Sequence, residues 1–221
     1  MNEYFCCTIQ YPVSSIRNLP FFAKMKLIFA TNNRHKAEEV KAVVGDSFRV
    51  ITLKEAGIDI DIPEPYDTLE ANASEKSRTI YALTKTNCFS EDTGLEVTAL
   101  NGEPGVKSAR YAGEGRSFDK NIEKLLQKLR DKPDKTARFR AVISLIIEGK
   151  ETFFEGVCNG RIIDEKRGNI GFGYDPVFIP DGSGKTFGEM SLEEKAIYSH
   201  RAKVTEKLVV FLNSLEPPDK F

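Results

Sequence analysis

The apolar residues of this chain fall into three patterns, and each predicts a different kind of element. Leu27-Ile28-Phe29-Ala30 is a continuous run, the mark of a strand buried on both faces. Ala37, Val40, Val43 and Val44 then recur at helical spacing. Residues 48–53 read as a second strand, and Ile58-Asp59-Ile60-Asp61-Ile62 alternates cleanly. Pro65 stiffens the segment carrying Glu64. A helix opens at Asp67 or Thr68 with Leu69, Ala73, Ile80 and Leu83 inward, and Asp67 and Glu70 stand at capping-box spacing. Asn72 and Lys76 lie a turn apart on it, facing solvent or a ligand. The run Phe89-Ser90-Glu91-Asp92-Thr93-Gly94-Leu95-Glu96-Val97 then reads as a strand, a tight acidic turn at Gly94 and a return strand.

In the second half, Ser117 caps a helix with Phe118, Ile122, Leu125, Leu126 and Leu129 on one face. Residues 138–147 and 152–158 predict a β-hairpin across Glu148-Gly149-Lys150-Glu151, so the sheet is mixed. Val177-Phe178-Ile179 is a further short strand. Ser191-Leu192-Glu193-Glu194 is a capping box, and Ser199-His200-Arg201 opens a last helix that packs through Val204, Leu208, Phe211, Leu212 and Leu215.

With 221 residues, 40 % hydrophobic and 29 % charged, the chain has an ordinary globular balance. Its 33 acidic and 32 basic residues leave no broad basic field to favour nucleic acid as a partner. No apolar run nears the ~20 residues that span a bilayer. Cys6, Cys7, Cys88 and Cys158 show neither metal spacing nor a disulfide framework. Buried thiols in a reducing cytoplasm are the simplest account. Residues 1–24 lack a signal-peptide core and read as a loosely attached extension or an overlong start. The domain is expected over 25–215, with 216–221 as a tail.

Three constellations carry candidate chemistry. Glu91 and Asp92 side by side are either a solvated acidic turn or a hard-cation site, since Mg²⁺ takes carboxylates with phosphate oxygens. Thr31-Asn32-Asn33-Arg34-His35-Lys36 lies between a strand and a helix, where side chains cap helix amides or flank a phosphate. Lys36 opposes the helix dipole there unless an anion is near, whereas His35 reads as a solvent-facing loop residue. In Gly171-Phe172-Gly173-Tyr174-Asp175-Pro176, two rings project from a closely approachable backbone, either to stack on a base or to plug the core. Lys195, His200 and Arg201 add cationic groups near helix starts, aimed at an acceptor-rich ligand.

These stretches, with Pro104-Gly105-Val106-Lys107-Ser108-Ala109-Arg110-Tyr111, occur in an order that resembles the Ham1-like inosine/xanthosine triphosphate pyrophosphatases from Met25 to about Leu215. The resemblance implies an α/β fold with a long mixed sheet, helices on both sides and a cleft between two lobes. It implies Mg²⁺-dependent hydrolysis of ITP, dITP and XTP to the monophosphate and pyrophosphate, and a homodimer. Thr31, Asn32, Asn33, Arg34, His35 and Lys36 would hold the triphosphate. Glu64 and Asp92 would ligate Mg²⁺, with Asp92 as proton acceptor and Thr93 touching substrate. Phe172, Gly173, Tyr174 and Asp175 would form the base pocket, Lys195 would reach substrate, and His200 with Arg201 would read the purine 6-oxygen. Glu91 stands where the family commonly has aspartate, and Pro65-Tyr66 where it commonly has Thr-Gly. Another base specificity, such as modified pyrimidines, a catalytically silent nucleotide sensor and RNA binding through the aromatic loop are the competing readings.

Overall fold

The computed structural model describes residues 25–46 and 48–215. The expected extension, with Cys6 and Cys7, and the expected tail lie outside the described residues. Among the described residues, seven strands form one sheet: β1 (Lys26–Phe29), β2 (Arg49–Thr52), β3 (Cys88–Val97), β4 (Pro104–Gly105), β5 (Thr136–Ile147), β6 (Lys150–Ile162) and β7 (Phe178–Pro180). Their order is β2-β1-β3-β5-β6-β7, with β4 pairing β3. β1 runs parallel to β2 and β3, and all other pairings are antiparallel, so the sheet is mixed as expected.

The helices are α1 (Arg34–Val44), α2 (Leu69–Thr84), α3 (Phe118–Leu129), α4 (Leu192–Tyr198) and α5 (His200–Ser214). The two-residue period of the strands distributes them over both faces. Leu27, Phe29 and Phe89 pack against α1 and α5 through Val40, Val204 and Leu208, while Ile28 and Cys88 meet Ile80 of α2 on the other face. A separate core gathers Leu95, Val97, Phe139 and Phe178 with Ile122, Leu125 and Leu129 of α3. β3 therefore leaves one core at Phe89 and enters another at Leu95. Glu91, Asp92 and Thr93 occupy the changeover, which is the cleft between lobes.

Several local expectations are corrected. The acidic stretch is no turn: β3 pairs with β5 without interruption from Cys88↔Ile146 to Val97↔Ala137. Gly94 serves close approach instead, since a Cβ there would lie 2.7 Å from the Gly105 carbonyl oxygen. Thr68, whose hydroxyl accepts from the Ala71 amide, caps α2 in place of an Asp67–Glu70 box, and Glu70 pairs with Arg140. Leu83 and Phe118, expected inward, are 60 % and 43 % exposed. The hairpin turn is the two residues Glu148-Gly149, both at positive φ, which matches the twist of the long strands around it. Residues 58–62 join no ladder, although their isoleucines lean on the core beside Ile28. Cys88 and Cys158 are buried as expected, and burial pushes their thiols up to about 12 and about 11, leaving them unreactive. No helix among the described residues is long and apolar enough to cross a membrane.

Candidate active site

Successive side chains of a strand point to opposite faces, so Glu91 and Asp92 do not share a field on one side. Glu91 is buried and faces α5, where Arg201 Nε lies 3.0 Å from Oε2 and Nη2 lies 3.1 Å from Oε1. Lys36 Nζ stands 3.5 Å from the same carboxylate. Asp92 faces α2, where Lys76 Nζ lies 3.0 Å from its Oδ1 and 2.6 Å from Glu64 Oε1. Arg110 steadies Glu64 from the other side, Nη2 donating to its carbonyl at 3.4 Å. Glu64 and Asp92, the expected metal ligands, thus converge, and a buried ammonium group joins them. No cluster of three or more acidic, histidine or cysteine ligands occurs among the described residues.

Charges set in so little water have displaced acidities. Burial drives the Asp92 carboxyl up from its ordinary value despite Lys76 and Lys36, and the negative charge of Glu64 adds to the rise. Burial opposes ionisation of Glu64 as well, but Lys76 outweighs it and its pKa falls. For Lys76, Asp92 and Glu64 together overcome burial and raise its pKa. Lys36 moves the other way, lowered by burial and by Lys76, with only part of this offset by Glu91. Both ammonium groups lie within hydrogen-bond distance of one atom, the Glu91 carbonyl oxygen, at 3.4 and 3.1 Å.

The loop before α1 is ordered by its own side chains. Asn33 caps the helix, accepting from the Lys36 amide at 3.2 Å, and Thr31 Oγ1 accepts from the Asn33 amide. Asn32 donates to the Ile60 carbonyl. Arg34 turns outward to Glu38. Capping therefore accounts for Asn33, while the Lys36 ammonium remains directed at β3.

At the other end of the cleft, the two aromatic residues of the glycine loop part company. Tyr174 plugs the core and donates to the Ser108 carbonyl, whereas Phe172 stays half-buried in the cavity. Asp175 closes the loop by accepting from the Phe172 amide at 2.9 Å and from Lys195 Nζ at 2.6 Å. Glu39 on α1 ties this end together, accepting from Lys195 at 2.7 Å and from Arg201 Nη1 at 2.6 Å. Although buried, Glu39 is held down to about 2 by Arg201 and Lys195. Arg201 also donates to Thr93 Oγ1 at 3.2 Å, so Nε, Nη1 and Nη2 all have protein partners. His200 differs: it stacks on Phe139 with ring centroids 4.8 Å apart, and neither ring nitrogen has a hydrogen-bond partner. Burial, then Arg201 and Lys195, depress its pKa well below the ordinary value, leaving a neutral ring with one donor and one acceptor.

The residues to which the resemblance gave a role line one cavity of about 490 Å³: residues 31–36, Glu64, Asp92, Thr93, residues 172–175, Lys195, His200 and Arg201; Asn72 does not, and instead bonds the Tyr66 backbone. That volume suits a small-molecule ligand. Asp92 and Lys36 share it, as a common nucleotide site requires. Sequence reasoning passed over Glu39, quoted Arg110 only within a motif, and left Lys76 between solvent and a ligand. Lys76 was legible in principle, because it falls on the Leu69–Ala73–Ile80 stripe, where a lysine must find buried partners.

A family model described as the Ham1 family matches residues 27–211. A dITP/XTP pyrophosphatase of Flavobacterium psychrophilum is 46 % identical over 190 residues, covering 86 % of this chain and all of that protein. A dITP/XTP pyrophosphatase of Porphyromonas gingivalis is 48 % identical over 188 residues, covering 85 % of this chain and 97 % of its own length. The Staphylococcus aureus Ham1 protein structure is similar with a TM-score of 0.77 at 41 % identity, covering 85 % of this chain and 98 % of that one.

Proposed function

Because the chain belongs to the Ham1 family, we propose that it hydrolyses the non-canonical purine triphosphates ITP, dITP and XTP to a monophosphate and pyrophosphate, cleansing the nucleotide pool. The observation that carries this reading is a pair of ammonium groups, the buried Lys76 and the partly buried Lys36, converging on one carbonyl beside two carboxylates. Their partners include Glu64 and Asp92, so a cation taken up by those two carboxylates would leave the ammonium groups free to face a polyphosphate.

Glu64 and Asp92 fit a Mg²⁺ site. Both are hard oxygen donors, and Lys76 bonds to both, so they come close enough to share one cation. When bound, the ion neutralises charge on the phosphate oxygens. Lys36 and Lys76 hold the phosphate chain. Asp92, its carboxyl raised by burial, takes a proton from the attacking water. Ser108, the serine lining the cavity, has its hydroxyl engaged with the Gly105 carbonyl and the Leu95 amide, which favours water over a covalent intermediate. Phe172 stacks on the base, and the unpaired nitrogens of His200 suit recognition of the 6-oxo edge. Arg201 holds Glu91, Glu39 and Thr93 in place around it.

Residues 25–215 carry this activity, the protein works in the cytoplasm, and the homodimer implied by the resemblance is part of the proposal. The test is pyrophosphate release from ITP, XTP, dITP, ATP and GTP, with and without Mg²⁺. Metal-dependent release from the first three, far above ATP and GTP, is expected. Release of orthophosphate alone, or no turnover of ITP, overturns it.

A further inference from the structure

His35 was expected to face solvent, yet its ring lies on Phe172, with centroids 5.0 Å apart and planes 13° from parallel. This is an offset stack of the kind aromatic rings favour. Phe118 meets the Phe172 ring only at a tilt, with centroids 6.1 Å apart, and the two cationic neighbours are fixed. Lys195 and Arg201, at 5.2 and 5.5 Å from its centroid, are buried and locked by ion pairs to Asp175, Glu39 and Glu91. His35 is not locked. Its side chain is half exposed, and its charged neighbour, Glu38, stands 4.0 Å from Nδ1, beyond hydrogen-bond length. Backbone packing does not hold the ring either, for His35 sits in the exposed first turn of α1.

We propose that His35 is a placeholder for the purine: its imidazole occupies the stacking face of Phe172 in the free protein and is displaced when a base arrives. This rests on the reading of Phe172 as the base-stacking residue. Displacement costs the free protein its own stack, so His35 lowers affinity for any ligand that carries a base. It leaves untouched a ligand made of phosphate alone. The role is distinct from the triphosphate contact implied for residues 31–36, which would act on both ligands alike.

The test measures calorimetric binding of ITP and of inorganic tripolyphosphate in the presence of a chelator. His35→Ala is expected to bind ITP about 2- to 10-fold more tightly, the worth of one aromatic pair, with tripolyphosphate unchanged. His35→Phe, a ring that stacks at least as well, should bind ITP no more tightly than the parent protein. If His35→Ala binds ITP more weakly or equally, or if both ligands change together, the placeholder role is overturned. Phe172→Ala placed on the His35→Ala background separates the two readings, because no self-stack remains there to mask the result. A loss of about tenfold or more in ITP affinity upholds stacking on Phe172. No loss overturns that stacking whatever His35 does.

Discussion

Lys76 Nζ lies 3.0 Å from Asp92 Oδ1, a helix residue and a strand residue joined across the floor of the cleft. The same ammonium reaches Glu64 at 2.6 Å, so it balances the two carboxylates that fit a divalent cation. Lys76 is thus an internal counter-ion for both carboxylates, at the place proposed for the metal.

Lys76→Met should remove that balance. Losing one partner of a buried ion pair costs about 3–5 kcal/mol. Added Mg²⁺ should restore part of this, raising the Tm of the variant more than that of the parent protein. Thermal unfolding with and without Mg²⁺ checks it. An equal or smaller Mg²⁺ response in the variant would show that Glu64 and Asp92 do not share a cation.

Asp92→Asn should cut kcat for ITP by about 10²–10⁴-fold, the usual worth of a positioned base, while triphosphate binding persists. With Mg²⁺ chelated, the Asp92 carboxyl should titrate above an ordinary aspartate, because burial raises it; in the parent enzyme kcat should fall once pH is low enough to protonate the base. A pH–rate profile flat across the acidic side would count against Asp92 as the base.

Glu39 ties stability to pH. Its folded pKa of about 2 lies below the ordinary value of 4.5. The unfolded chain therefore takes up the proton first, and the stabilisation is complete above about pH 4.5 and lost as pH falls toward 2. That shift corresponds to about 3 kcal/mol. Glu39→Gln should be destabilised at pH 7 by an amount of this order and should show a flatter acid transition. Denaturant titrations at pH 7 and pH 3 would reveal a wrong sign.

Gly156 has no room for a side chain. A Cβ there would sit 2.2 Å from the His200 carbonyl oxygen and 2.7 Å from the Val204 amide nitrogen. Gly156→Ala should push the start of α5 off β6 and cost about 3 kcal/mol, roughly 6–12 °C in Tm. His200 and Arg201 ride on that turn, so KM for ITP should rise as well. An unchanged KM would mean that α5 tolerates the shift.

Much of the cleft was readable because its chemistry is local. Residues 31–36 follow an apolar strand directly, and Ser191 and Ser199 announce their helices through capping. Other features were ambiguous for a physical reason. Two carboxylates before a glycine look like a turn until ten residue pairs of a neighbouring strand claim them. Phe172 and Tyr174 are alike in sequence, and only the core beneath Ser108 decides which one is buried. Lys76 looked like a surface lysine because its acidic partners lie 12 and 16 residues away.

Taken alone, the sequence determined the mixed α/β architecture, the helix starts and many of the residues that line the cavity, since periodicity, caps and contiguous motifs act over a few residues. The tertiary structure decided how the charges pair: Glu91 with Arg201, Asp92 and Glu64 with Lys76, Glu39 between Lys195 and Arg201. It also left the His200 nitrogens unpaired and laid His35 on Phe172. Pairing of buried charge depends on distances between distant segments, and those distances exist only once the sheet has brought the segments together.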